Sequence, residues 1–314
     1  MNETNKVVKV QKLNGYRPTL RSYLYVPADK PEKLERAAER GADAIIVDLE
    51  DAVAEGSKRA ARHVAASWLE SIRLNGFPEI WVRVNAARTS HFFADVEAVV
   101  APTLSGICLP KSEEPEDLFR LHELLALAEE KAGLALEQIR VSALIETPYG
   151  LIGALKLAGG PRVDRLQIGE ADLAAHLALQ PADNEAELLP ARFQVVLVSA
   201  ASKLAPPVGP VSVDFSNLEA LRSTTLGLKR LGFGGRAAIH PAQVPVINSV
   251  FTPSADEEAD ARSIVDRYRV AQNAGTGVID DGTGKMIDEA VIRSALAVVE
   301  RASLCRSIDD RRDS

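Results

Sequence analysis

A chain of 314 residues and 33.8 kDa with 46% hydrophobic residues can bury a large core, in one big domain or two ordinary ones. A formal charge of -7 and a pI near 5.4 argue against general affinity for nucleic acid phosphates or anionic membrane surfaces, and no apolar run approaches a membrane-spanning length. Two cysteines, Cys108 and Cys305, match neither a disulfide framework nor a metal knuckle and read as buried thiols of a cytoplasmic protein.

Residues 1–20, "MNETNKVVKVQKLNGYRPTL", hold no signal-peptide core and read as a loose polar leader. From residue 21 onward, short β-rich runs alternate with stretches of helical spacing. The runs are "RSYLYVPA", "DAIIVDLED", "EIWVRVN", "GICLPK", "RVSALIET", "RLQIGEADL", "VSVDF" and "RAAIHP". Segments such as "KPEKLERAAERG", "EDLFRLHELLALAEEKAG" and "YGLIGALKLAGG" lie between them and close on Gly. Eight such units over residues 21–252 predict a parallel (β/α)8 TIM barrel. A doubly wound open sheet is the alternative, but no glycine-rich dinucleotide fingerprint follows any run.

The runs finish on residues a buried strand should avoid: Asp48, Glu50, Asp51, Arg83, Asn85, Lys111, Glu146, Glu170, Asp172, Asp214 and His240. In a barrel these ends converge on one polar mouth, where barrel enzymes place their chemistry; taken singly, each reads equally as a cap or loop residue. Glu146 and Asp172 end consecutive runs, and strands lie about 4.8 Å apart, so both carboxylates can meet one ion. With no paired His or Cys nearby, the donors suit a hard cation such as Mg2+, with Glu50 and Asp51 holding the surrounding waters. Arg83 either forks onto a substrate carboxylate or developing oxyanion, or neutralises the acids. The stretch Gly169, Glu170, Ala171 offers backbone N–H groups to an anion.

Residues 253–306 predict a C-terminal extension of two helices around a glycine-rich turn, and 307–314, "SIDDRRDS", a polar tail. "GTGK" in that turn is followed by Met286 rather than Ser or Thr, and an earlier glycine is missing, which rules out a Walker phosphate loop.

Taken in order from about residue 20 to 303, "RSYLYVPA", "GADAIIVDLEDAV", "WVRVN", "LPKSE", "IETPYG", "GEADLAAHL", "GFGGRAAIHPAQ" and "GKMIDEAV" resemble the citrate lyase β-subunit and malyl-CoA lyase family of the HpcH/HpaI aldolase superfamily. The resemblance implies a TIM barrel acting with Mg2+ on a coenzyme A thioester, with Glu146 and Asp172 as metal ligands and Arg83 as substrate clamp. It also implies coenzyme A contacts at Arg21 and Lys30, and a homo-oligomer, a trimer or a dimer of trimers, in which the C-terminal segment reaches over a neighbouring subunit. Asp288 of "MID" then becomes the general acid/base, although its position equally fits the cap of the helix "EAVIRSAL". Asn217 stands where relatives often carry an acid, Glu170 adds one beside a metal ligand, and His240 in "AIHPAQ" matches a family motif. The implied reaction is carbon–carbon cleavage of malyl-CoA, citramalyl-CoA or a relative to a 2-oxo acid and an acyl-CoA. A citrate lyase subunit working on carrier-protein thioesters with partner subunits, a coenzyme A-independent aldolase and a non-catalytic binding barrel are the alternatives.

Overall fold

Strand β2, Ala44–Asp48, is buried at all five positions, as expected of a parallel strand covered on both faces. It belongs to a computed structural model that describes residues 20–72, 78–182, 184–273, 279–280 and 286–313. The other strands are β1 (Ser22–Pro27), β3 (Glu79–Arg83), β4 (Leu104–Leu109), β5 (Arg140–Ile145), β6 (Val163–Ile168), β7 (Val208–Gly209) and β8 (Gly235–Ala238). They pair in sequence order, all parallel, and the sheet closes where Ser22 of β1 faces Arg236 of β8. The (β/α)8 barrel expected from the alternation is therefore the observed fold.

Helices α1 (Pro31–Glu35), α2 (Lys58–Ser71), α3 (Phe92–Val99), α4 (Pro115–Ala132), α5 (Pro148–Ala158), α6 (Glu170–His176), α7 (Leu189–Ala201), α8 (Leu218–Leu231) and α9 (Gln243–Phe251) alternate with the strands. Their starts follow from local chemistry. Proline opens α1, α4 and α5, where its missing N–H costs nothing, while Thr147 and Asn217 cap α5 and α8 through their side-chain oxygens.

Inside the barrel, the indole of Trp81 occupies the space that a side chain at residue 106 would need; a Cβ there would come within 2.2 Å of the ring, so only glycine fits. The Arg165 guanidinium lies 4.8 Å from the Trp81 ring and 5.5 Å from that of Tyr23, and hydrogen-bonds Asp164 and the Tyr23 hydroxyl. These side chains plug the lower half of the barrel and leave the cavity at the upper end.

Two strand expectations need correction. The seventh strand is Val208–Gly209, not "VSVDF": prolines 207 and 210 bracket it, and Pro210 has no N–H to extend the ladder. Val211–Phe215 instead run on as a loop, in which Asp214 accepts hydrogen bonds from Ser216 and Asn217. The sixth strand stops at Ile168, and "EADL" turns at once into α6, so Asp172 lies in the first turn of a helix rather than on a strand end.

The chain divides into two compact units. Pro18–Thr252 together with Cys305–Ser314 form the barrel unit, and Pro253–Leu304 lie in the other. That second unit holds α10 (Ala255–Asn273), a small antiparallel pair β9 (Ile279–Asp280) and β10 (Met286–Ile287), and most of α11 (Glu289–Asp313), around a core of Ala261, Val265 and Ala295. The segment expected as a polar tail, 307–314, is instead the last stretch of α11 as far as Asp313. Its side chains reach the underside of the barrel: Asp309 accepts from Arg21, and Arg312 donates to Asp43 at 2.9 Å. No helix among the described residues is long and apolar enough to cross a membrane.

Candidate functional site at the barrel mouth

The turn after β2 is wound around Asp48. Its Oδ1 accepts from Glu50 N and its Oδ2 from Ala52 N, which bends "DLED" back over the strand end. Behind the turn, the buried Lys58 ammonium donates to the carbonyls of Leu49 and Glu50, and Asn85, held by the buried Asp95, donates to Leu49 as well. Glu50 is thus held through its backbone carbonyl, which leaves its carboxylate to other partners.

Arg83, the last residue of β3, takes both oxygens of Asp48 in a forked pair, Nε–Oδ1 2.8 Å and Nη2–Oδ2 2.6 Å, and rests 5.0 Å from the Tyr25 ring. Its Nη1 lies 2.9 Å from Glu50 Oε2 and 3.5 Å from Asp51. Of the two roles open to Arg83 from sequence, neutralising the acids is directly visible, with the Nη1 edge turned toward Glu50 and the rim. That ion pair is off the line of a hydrogen bond, so Glu50 Oε2 is buried without a hydrogen-bond donor.

Lys111 was not singled out as a site residue, yet it joins the two halves of the site. Its backbone sits at a φ of 47° and aims its N–H at Glu146 Oε1, 2.7 Å away, while its ammonium pairs with Glu50 Oε1 at 2.5 Å. Its place at the end of "LPK" puts it among the strand ends at the mouth, as expected from sequence; its left-handed backbone is not legible there.

Glu146 is 2% exposed and stands one residue beyond β5. Gly169 backs directly onto it, since a Cβ there would come within 2.7 Å of its carboxylate. Burial pushes the Glu146 carboxyl up to about 8, the Glu50 charge adds to the rise, and the Lys111 N–H only partly opposes it. Burial raises Glu50 too, against the pull of Arg83 and Lys111. A group of buried carboxyls short of positive charge, with one oxygen lacking a donor, is a donor set that a hard cation would complete. Among the described residues no three His, Cys, Asp or Glu form a closed cage, so such an ion would keep positions for water or substrate.

Glu146, Asp172, Arg83, Asp51 and the stretch Gly169–Ala171 all line one cavity of about 440 Å3, together with the apolar Leu144, Ile168, Val211, Val213 and Ile239. Lys30 stands beyond the end of β1, half-exposed and 3.4 Å from Asp29.

Within the barrel unit, the remaining candidate residues have other partners. Arg21 precedes β1 and lies at the opposite end of the barrel, 3% exposed, its guanidinium bound to Asp43, Asp309 and Thr252; a contact with coenzyme A there has no free donor to use. Glu170 does reach the cavity wall, but both its oxygens are held at 2.6 Å by Arg192. The Gly169 N–H is likewise taken, by the Ile145 carbonyl. His240 stacks on Phe215, 4.9 Å between rings, and Asn217 caps α8. Asp288 lies in the second unit, where its Oδ1 accepts from Ala290 N and Val291 N as an N-cap does.

Known proteins share this fold. The chain is 28% identical to the citrate lyase subunit beta of Leuconostoc mesenteroides subsp. cremoris, over 92% of this chain and 95% of that one. It is 30% identical to a (3S)-malyl-CoA thioesterase of Cereibacter sphaeroides, over 91% of this chain and 94% of that one. Among solved structures, CitE from Mycobacterium tuberculosis in complex with magnesium, acetoacetate and coenzyme A superposes with a TM-score of 0.72 at 28% identity, covering 93% of this chain and all of that one. The citrate lyase beta subunit of the same organism, complexed with oxaloacetate and magnesium, gives 0.62 at 28% identity, over 75% of this chain and 98% of that one. The HpcH/HpaI aldolase/citrate lyase family model matches residues 21–241, from the first strand to the turn after the last, and the chain belongs to that family.

Proposed function

We propose that the protein is a Mg2+-dependent carbon–carbon lyase that cleaves a 3-hydroxyacyl-CoA bearing a carboxylate, of the malyl-CoA or citramalyl-CoA kind, to a 2-oxo acid and an acyl-CoA. The observation that carries the proposal is the shared cavity that Glu146, Asp172 and Arg83 line together with apolar side chains. Relatives named for malyl-CoA and for citrate lyase, and a neighbour structure holding magnesium and coenzyme A, support the choice of substrate class.

In this reading Glu146 and Asp172 hold the ion, with Glu50 and Asp51 behind it. When bound, Mg2+ supplies a Lewis acid for the hydroxyl and carboxylate oxygens of the substrate. The substrate hydroxyl gives its proton to water in the open cavity, the bond between the hydroxyl-bearing carbon and its neighbour breaks, and that electron pair passes into the thioester carbonyl. The Nη1 edge of Arg83 faces the negative charge that develops on the thioester oxygen, an interaction whose loss typically costs about 3 kcal/mol in the barrier. Asp288, from its own or a neighbouring subunit, is assigned delivery of the proton to the enolate carbon, assistance worth about 100-fold or more. Lys30 and the backbone at Glu170 and Ala171 are assigned to the coenzyme A arm, since the Gly169 N–H is already given to Ile145.

Hydrolysis of the thioester is the second reading, favoured by the name of the Cereibacter sphaeroides relatives. Purified protein with Mg2+ is offered malyl-, citramalyl- and citryl-CoA while 2-oxo acid and free thiol are followed separately. Release of 2-oxo acid without thiol, lost in Glu146→Ala and Asp288→Ala, is the expected result. Thiol release without 2-oxo acid selects the hydrolase. No turnover of any free thioester sinks the lyase and points to a carrier-protein substrate with partner subunits, or to a binding barrel.

A further inference from the structure

Strand β1 carries two tyrosines on one face, and their hydroxyls are used differently. Tyr23, 2% exposed, accepts from the Arg165 guanidinium and belongs to the plug of the lower barrel. Two residues further on, Tyr25 is only partly buried and lines the cavity. Gln167 lines it too, two residues beyond Arg165 on β6, and its Nε2 donates to the Tyr25 hydroxyl at 2.9 Å. That bond occupies a lone pair of the phenol oxygen and leaves its hydrogen, which no acceptor among the described residues takes. The Arg83 guanidinium, 5.0 Å from the ring, steadies the other side. Burial holds the phenol well above its ordinary value, against the pull of Arg83, so the hydrogen stays on the oxygen at neutral pH. A hydroxyl whose oxygen is anchored and whose hydrogen is unspent is a preorganised donor.

Depth decides what that donor meets. Gln167 pairs with Leu144 in the register of β5 and β6, while Glu146 and Gly169 stand two residues nearer the mouth. Tyr25 and Gln167 therefore form the floor beneath the carboxylates. Coenzyme A is long and has to leave through the mouth, so the floor receives the small oxo-acid end of a substrate. A carboxylate there that gives one oxygen to a cation has a second oxygen to satisfy. Leu144 and Ile168 offer it only apolar surface, the Gly169 N–H is spent on Ile145, and Arg83 is turned to Asp48 and Glu50. On the lyase reading above, we infer that Tyr25 is a substrate-binding residue whose phenol, anchored by Gln167, donates its hydrogen to the carboxylate of the 2-oxo acid end.

Calorimetric titration of the full chain in saturating Mg2+, with pyruvate and with oxaloacetate, tests this apart from turnover. The wild type should bind at least one of the two. Tyr25→Phe, which removes the hydroxyl and keeps the ring, should weaken that binding by about 10- to 100-fold, the usual effect of losing a hydrogen bond to a charged group. Its affinity for acetyl-CoA and its Tm should stay close to those of the wild type. Gln167→Leu keeps the phenol without its anchor and should lose less than Tyr25→Phe does. A Tyr25→Phe protein that binds the oxo acid as the wild type does overturns the inference alone, and so does one that loses acetyl-CoA to the same degree, since that marks a collapsed cavity. A wild type that binds neither oxo acid sinks the lyase reading and the inference with it. If Tyr25→Phe does not fold, Gln167→Leu decides: oxo-acid binding weakened several-fold with acetyl-CoA retained supports the assignment, and unchanged binding refutes it.

Discussion

Lys111 holds Glu146 with its main chain, donating its N–H to Oε1 at 2.7 Å from a backbone turned to a φ of 47°. One residue therefore serves the site twice, since its ammonium is left free to close on Glu50.

The two tasks of Lys111 separate by substitution. Lys111→Met keeps the N–H on Glu146 and strips Glu50 of one of its two cationic partners, so kcat/KM should fall by about 10- to 100-fold, the usual effect of removing a group that orients ligands. Lys111→Gly should be more stable than Lys111→Ala by about 1 kcal/mol, because glycine adopts the left-handed backbone without strain. Steady-state kinetics and urea unfolding check the two halves; an alanine variant as stable as the glycine one would remove the strain argument.

Arg83→Lys should behave as a severe change. A lysine cannot fork onto both oxygens of Asp48 and also present an edge to Glu50, so kcat/KM should drop by about 100-fold or more. Retention of activity within a few-fold would show that a point charge suffices at this position.

Glu146 links stability to pH. Its folded value, near 8, lies above its ordinary 4.5, so folding favours the protonated acid. The stability this gives is fully present below about 4.5 and is lost as pH climbs through about 8. In metal-free protein Tm should fall across that window, and Glu146→Gln should flatten the slope. At neutral pH, adding Mg2+ should expel a proton, seen as a binding enthalpy that varies with the ionisation enthalpy of the buffer. A buffer-independent enthalpy would mean that the ion does not displace a proton from this carboxyl.

The underside of the barrel should respond differently. Asp43→Asn takes from Arg21 and Arg312 the fully buried one of the two carboxylates they share, Asp309 being the other, which should cost about 3–5 kcal/mol. The folded fraction should keep its KM for the thioester. A raised KM with little loss of Tm would restore Arg21 to the substrate side.

Both cysteines should resist modification. Cys108 faces the interior, and burial pushes its thiol up to about 12, so almost no thiolate exists at neutral pH; Cys305 is 1% exposed. Ellman's reagent should count no thiols in native protein and two after unfolding. Rapid native labelling would contradict the packing.

How far sequence carried the reading follows from what each residue depends on. The runs around Ile45, Trp81 and Leu144 are apolar enough to be strands in any parallel barrel, and the polar residues after them mark its mouth. Val208–Gly209 escaped because two residues between prolines show no period, whereas Val211 and Val213 imitate one. Arg21 was assigned to the wrong end although the polarity of parallel strands was available: a residue that opens a run lies opposite those that close it. The backbone of Lys111 and the capture of Glu170 by Arg192 depend on contacts between residues far apart in the chain, which spacing does not encode.

Nη1 of Arg21 touches Thr252 Oγ1 at 3.0 Å and Asp309 Oδ2 at 3.2 Å, so the chain departs from the barrel and comes back to it at a single side chain. Residues 253–304 are consequently tethered at both ends instead of trailing from one. A protease nick within them should leave the final helical turns clasped to the barrel without a covalent link, and a fusion placed after α11 should emerge beneath the barrel, clear of the substrate's approach.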